Sequence, residues 1–302
     1  MKKITSACLL LLTLLIVSCK SNNKEKEAIK VADADTLMDE SMQRFTDFWN
    51  SGNSEGISNE FTSDAVRVLT DPSDAIEGNE AIKISFLNAF SEESLFKNSH
   101  IEIDVIETRF VSEDILIGSG LFKILSDSNE ILESGKWGNV FKYADGKIKF
   151  LLESAYRNIE TKSDISDLVV MKESLESSDE AYFNEVKNFI NDFVIDFTNG
   201  EREKLSLSFI KNGIRTVSGT QGVLIGKDNI SSSFDIVEGE TLNANILGYK
   251  YLNNSLAIGY GQWRRSDKEN NVLTSGNWGN IFLIQDESVK FVMESAGVVK
   301  DY

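Results

Sequence analysis

Ser134-Gly135-Lys136-Trp137-Gly138-Asn139-Val140-Phe141 returns 141 residues later as Ser275-Gly276-Asn277-Trp278-Gly279-Asn280-Ile281-Phe282. That spacing is far longer than a solenoid repeat and close to the size of one compact domain. The same offset matches Gly118-Ser119-Gly120 with Gly259-Tyr260-Gly261, and Phe150-Leu151-Leu152-Glu153-Ser154-Ala155 with Phe291-Val292-Met293-Glu294-Ser295-Ala296. Earlier in each copy the offset is 148. It aligns Asn50-Ser51-Gly52 with Thr198-Asn199-Gly200, Val66-Arg67-Val68 with Ile214-Arg215-Thr216, and Gly78 with Gly226. The chain reads as one fold written twice, with seven extra residues in the first copy between Gly78 and Ile103.

Each copy opens on helical spacing. Met38, Met42, Phe45 and Trp49 recur at steps of four and three, as do Phe183, Val186, Ile190, Phe193 and Phe197. Thr36-x-x-Asp39 and Ser177-x-x-Glu180 have the form of capping boxes, and Gly52 and Gly200 suit helix ends. A short second helix and a strand around Arg67 or Arg215 follow. Asp71-Pro72-Ser73-Asp74 then makes a turn in the first copy. After Gly78 a third helix carries Ile82, Phe86 and Ala89 on one face; the second copy has only a stub around Ile230 and Phe234. Residues 101–111, 115–125, 131–143 and 147–156 alternate between polar turns as antiparallel hairpins. Helices first and a meander after them predict an α+β fold with the helices on one face of a curved antiparallel sheet.

Three stretches carry a family resemblance: Phe48-Trp49-Asn50-Ser51-Gly52-Asn53, Ile76-Glu77-Gly78-Asn79-Glu80-Ala81-Ile82, and Gly135 to Phe150 across the last hairpin. With the element order they resemble the NTF2-like superfamily, in particular its SnoaL-like and DUF4440-like branches, over residues 36–157 and 179–298. The resemblance implies two tandem cone-shaped domains, each with a sheet wrapped around its first helix to leave a pocket. It also implies that the two copies pair through their sheets as an intrachain pseudo-dimer.

The expected organisation is a leader over 1–18, a tether over 19–35, domain 1 over 36–157, a connection over 158–178 and domain 2 over 179–302. Lys2 and Lys3 precede an apolar run from Ala7 to Val17, too short to span a bilayer but long enough for a secretory signal. The run ends in Ile16-Val17-Ser18-Cys19, which resembles the bacterial lipoprotein lipobox and implies cleavage before Cys19 and lipid attachment to it. The expectation is an exported protein anchored to a bacterial membrane, on the periplasmic face or the cell surface. The other cysteine, Cys8, lies in the leader, so the processed chain has no pair for a disulfide. Removing residues 1–18 takes two lysines and no acid, moving the net charge from −17 to −19, which disfavours nucleic-acid partners.

Arg67/Arg215, Asn139/Asn280 and Glu153/Glu294 are polar residues repeated inside apolar strands. With Trp137/Trp278 they are the candidate pocket residues. An Arg facing a Glu would hold it ionised, while a buried polar side chain needs a hydrogen-bond partner whatever its role. One histidine, His100, without a counterpart in the second copy, leaves Ser154 and Ser295 without a base and supplies no zinc site. No cofactor or metal is expected. The reading is non-catalytic binding of a small apolar or amphipathic ligand or of a protein partner. The alternative is a carboxylate-based isomerase, cyclase or hydrolase of the SnoaL or ketosteroid-isomerase type using Glu153 or Glu294.

Overall fold

The computed structural model describes residues 33–70, 74–158, 171–253, 255–286 and 288–298. The leader, Cys19, the tether up to residue 32, Pro72 and most of the expected connection lie outside these residues. Among the described residues no helix is long and apolar enough to cross a membrane.

Two lobes share one element order. Lobe 1 runs α1 (Ala34–Asn50), α2 (Ser54–Asn59), β1 (Phe61–Leu69), β2 (Ile76–Glu77) and α3 (Asn79–Ala89). It continues with β3 (His100–Phe110), β4 (Ile115–Leu125), β5 (Ile131–Ala144) and β6 (Lys147–Arg157). Lobe 2 repeats this as α4 (Phe183–Thr198), α5 (Arg202–Leu207), β7 (Phe209–Val217), β8 (Leu224–Ile225) and α6 (Lys227–Ser231). Its meander is β9 (Thr241–Ala244), β10 (Gly248–Asn253), β11 (Leu256–Ser266), β12 (Val272–Gln285) and β13 (Ser288–Val298). The sheet orders are β2-β1-β6-β5-β4-β3 and β10-β11-β12-β13-β7-β8, with β9 beside β11. The meanders are antiparallel as expected, and each sheet is made mixed by β1 or β7 lying parallel to β6 or β13. β9 and β10 occupy the place of β3, divided where β3 carries a bulge between Val105 and Glu107.

The first helices bury the stripe that their spacing predicts: Met38, Met42, Phe45 and Trp49 in α1, and Phe183, Val186, Ile190, Phe193 and Phe197 in α4. The capping boxes do not form. α1 starts three residues earlier, at an Asp33 cap to which the Thr36 hydroxyl donates at 3.2 Å. α4 starts after Tyr182, because the approach to it is docked on the sheet: Lys172 N donates to Gln262 Oε1 at 2.9 Å and Leu175 N to Ile246 O at 2.8 Å. Tertiary hydrogen bonds thus outcompete a local cap worth about 1 kcal/mol.

Gly118 and Gly120 mark close approach. A Cβ on Gly120 would lie 1.8 Å from Asp104 O, and one on Gly118 would lie 2.3 Å from the Met38 Cε of α1. His100 opens the edge strand β3.

The outer faces of the two sheets pack on each other. Val66, Val68, Ile117, Val140 and Leu152 of lobe 1 share a core with Ile214, Ile258, Ile281 and Met293 of lobe 2. The polar contacts across it come in equivalent pairs. Arg109 donates to Asn212 O at 2.7 Å, and its counterpart Lys250 pairs with Asp64, the counterpart of Asn212. Lys136 donates to Val217 O at 2.9 Å, and its counterpart Asn277 donates to Leu69 O at 3.0 Å. At the centre a Cβ on Gly138 would meet Thr216 and Met293, while one on Gly279 would meet Val68 and Leu152, the equivalent positions. Only glycine lets the strands come this close.

Candidate functional site

Each sheet curls around its first helix and leaves a cavity against the concave face. In lobe 1, neighbouring register positions on the parallel strands β1 and β6 put Arg67 beside Glu153. Arg67 Nε pairs with Glu153 Oε2, and Nη2 donates to Oε1 at 3.2 Å. Nη1 donates to Ser85 Oγ at 2.8 Å, and the guanidinium carbon lies 3.9 Å from the centre of the Phe86 ring. Lobe 2 reproduces the arrangement. Arg215 Nε donates to Glu294 Oε2 at 2.7 Å and Nη1 to Ser233 Oγ at 2.9 Å, with the cation 4.4 Å from the Phe234 ring centre. All four charged groups are buried. The bidentate geometry in lobe 1 and the stacked ring in both lobes make a buried ion pair tolerable.

Asn139 and Asn280 serve the sheet. Asn139 Oδ1 accepts from Ser154 N at 2.8 Å and Asn280 Oδ1 from Ser295 N at 2.9 Å, where the β5–β6 and β12–β13 ladders are interrupted just ahead of their register shifts at Val140/Phe141 and Ile281/Phe282. Asn139 also lines the lobe 1 cavity. Trp137 and Trp278 are buried walls of their cavities, held by indole donation to Leu121 O at 3.2 Å and to Asn245 O at 3.1 Å. Of the eight sequence candidates, Arg67, Trp137, Asn139 and Glu153 meet at one cavity and Arg215, Trp278 and Glu294 at the other.

The cavities differ in size. That of lobe 1 holds about 210 Å³ and is crowded by Phe45, Trp49, Phe86, Phe96 and Phe150. That of lobe 2 holds about 1000 Å³ between Phe193, Phe197, Trp263, Trp278, Leu242 and Ala244. The cause is the seven-residue difference. In lobe 1 α3 is eleven residues long and the chain after it brings Phe90 and Phe96 edge-on to Trp49, at 5.3 and 6.4 Å between centroids. Trp49 Nε1 then donates to Ser99 Oγ at 3.1 Å. In lobe 2 α6 is five residues long, Trp49 is replaced by Phe197, and the shorter segment after α6 places Asp235, Val237 and Glu240 along the cavity wall.

Arg265, Glu240, Asp235 and Trp263 are cavity residues that the repeat does not reveal: Arg265 and Trp263 stand where lobe 1 has Ile124 and Phe122, and Asp235 and Glu240 lie in the stretch where the two copies differ in length. Arg265 pairs with Glu240 and donates to Asp235 O at 3.1 Å, and its cation lies 5.6 Å from the Phe197 ring centre. Ser85-Phe86 and Ser233-Phe234, by contrast, recur at the 148 offset and were available as a signal. Among the described residues no cluster of His, Cys, Asp and Glu could hold a metal ion.

No family model and no curated protein matches the sequence. Among solved structures, a domain of unknown function with a cystatin-like fold from Nostoc punctiforme is 16% identical with a TM-score of 0.37, covering 58% of this chain and 93% of its own. An NTF-2-like protein of unknown function from Shewanella oneidensis is 7% identical with a TM-score of 0.35, covering 40% and 98%. Each lobe is an α+β unit in which helices precede a curved mixed sheet. Within this chain the fold is seen as two successive helices, a strand that rejoins the last strand in parallel, and a four-strand meander cupping the first helix.

Proposed function

We propose that this is an exported protein, lipid-anchored through Cys19, whose second NTF2-like lobe holds a small apolar or amphipathic ligand without transforming it. The observation that carries the reading is the lobe 2 cavity. At about 1000 Å³ and walled by aromatic and aliphatic side chains, it lies at the upper end of the ligand-pocket range of about 300–1,000 Å³. Lobe 1, at about 210 Å³, falls below that range and reads as a structural partner.

The Arg–Glu pair gives no support to the carboxylate-enzyme alternative. In both lobes the Glu is committed to its Arg, and the Arg is committed in turn to a serine of the following helical segment. That is the wiring of a fold element, repeated even in the lobe with the smaller cavity. Titration with N-phenyl-1-naphthylamine, a neutral apolar fluorophore, tests the binding claim. One equivalent should bind, and Ala244→Phe, which projects a ring into the lobe 2 cavity, should abolish binding. Unchanged binding by Ala244→Phe would refute the assignment. The anchor is tested by labelling cells with a fatty-acid analogue: label on the wild type and none on Cys19→Ala is expected, and label on both would refute acylation at that residue.

A further inference from the structure

Lys136 sits in the one position of the repeated octapeptide where a cation in lobe 1 faces a neutral residue, Asn277, in lobe 2. It is 2% exposed and points across the sheet interface. Its ammonium donates to Val217 O at 2.9 Å and Ser218 O at 3.4 Å, and bonds Thr220 O as well. Among the described residues no carboxylate lies within ion-pair distance of it. Burying such a cation is costly unless every donor is used, and here three carbonyls take its three protons. Residues 217–220, which it holds, form part of the wall of the lobe 2 cavity. The reverse contact is equivalent: Asn277 of lobe 2 holds Leu69 O, and Leu69 lines the lobe 1 cavity.

We infer that Lys136 is a positioning residue supplied by lobe 1 for the ligand cavity of lobe 2, so that the wall of one lobe is braced by the other. The inference rests on the cavity being a binding site only for its effect on affinity; the brace itself can be read without ligand. Beyond the ammonium, the 217–220 segment is held by Ser218 N to Ala296 O at 3.0 Å, Thr220 N to Val217 O at 3.1 Å, and Thr220 Oγ1 to Val217 O at 3.0 Å and Gly222 O at 3.2 Å. Lys136→Met keeps the length and removes all three donors, taking the ammonium from the Ser218 and Thr220 carbonyls while Val217 O keeps its bonds from Thr220 N and Oγ1.

The full chain is compared as wild type and Lys136→Met by amide hydrogen exchange at pH 7. Exchange at Ser218 and Thr220 should quicken at least about tenfold, as expected for the loss of one or more net hydrogen bonds, while Ile281 and Met293 in the shared core stay unchanged. The fluorophore affinity should fall about tenfold in the same variant. A variant-free measurement guards against misfolding. In wild type labelled with ¹⁵N-lysine, Lys136 should give a protected ammonium signal that shifts when the fluorophore saturates the cavity. Uniform quickening across the chain, or unchanged exchange at Ser218 and Thr220, would overturn the brace. If the exchange pattern holds but no fluorophore binds wild type, the brace stands and the binding reading falls. If the fluorophore binds and the ammonium signal does not move, the link between Lys136 and the cavity is refuted.

Discussion

Replacing Glu153 by Gln tests whether the repeated Arg–Glu pair is structural. Glu153 accepts two charge-assisted bonds from Arg67, each worth about 1.5–3 kcal/mol. Glutamine keeps one acceptor oxygen, restoring about 1 kcal/mol, and leaves a buried guanidinium without its counter-ion. Removing one partner of a buried pair costs about 3–5 kcal/mol. Because Ser85 and the Phe86 ring still hold the cation, the lower figure of about 3 kcal/mol applies. At about 2–4 °C per kcal/mol, the thermal midpoint should fall by roughly 6–12 °C, read by circular dichroism and confirmed by urea unfolding with an unchanged slope. Glu294→Gln should cost less, about 2 kcal/mol, since one bond to Arg215 is lost there. Replacing both Arg67 and Glu153 by Met should restore most of the loss, because apolar side chains of similar volume leave no orphaned charge. A Glu153→Gln midpoint within roughly 1 °C of wild type would refute the structural reading and return the carboxylate to the list of candidate bases.

Burial, with a smaller contribution from the nearby Arg215 cation, lowers the Lys136 ammonium to about 8, whereas in the unfolded chain it titrates near its ordinary value of about 10.4. Below pH 8 both states are protonated and the cost is fully present; between about 8 and 10.4 the unfolded chain binds more protons, so stability rises with pH through this window. With partial screening the gain is about 2 kcal/mol, and the difference in unfolding free energy between wild type and Lys136→Met, followed by urea titration from pH 7 to 10.5, should show it. A flat difference would refute the depressed pKa. Gly279→Val would place its Cβ 2.3 Å from Ser154 Oγ at the centre of the interface. It should destabilise by more than about 2 kcal/mol and split calorimetric unfolding into two transitions; a single transition of wild-type midpoint would show that the lobes do not depend on this contact.

The repeat made the fold legible. Trp137 and Trp278, the helical stripes and the hairpin turns all sit in the elements that their spacing predicted, because those patterns are local. Helix starts were misplaced where non-local bonds decided them, as when Gln262 and Ile246 hold the chain ahead of α4. Arg67 and Glu153 stand 86 positions apart and were recognisable as candidates, but their pairing depends on β1 joining β6 in parallel, which no local signal records. The seven-residue difference was visible by alignment. Its consequence was not, because it takes the fold to bring Phe90 and Phe96 onto Trp49 in one lobe and to leave the equivalent space open in the other. Arg265 escaped notice because its counterpart is the apolar Ile124, and Glu240 because it lies where the two copies differ in length.

The stoichiometry of apolar-probe binding bears most directly on the claim that unequal filling of two like lobes creates one ligand site. Isothermal titration should give one site per chain, lost in Ala244→Phe and kept in Ala155→Phe, which fills the lobe 1 cavity instead. Two equivalent sites, or loss through Ala155→Phe with retention through Ala244→Phe, would contradict the account.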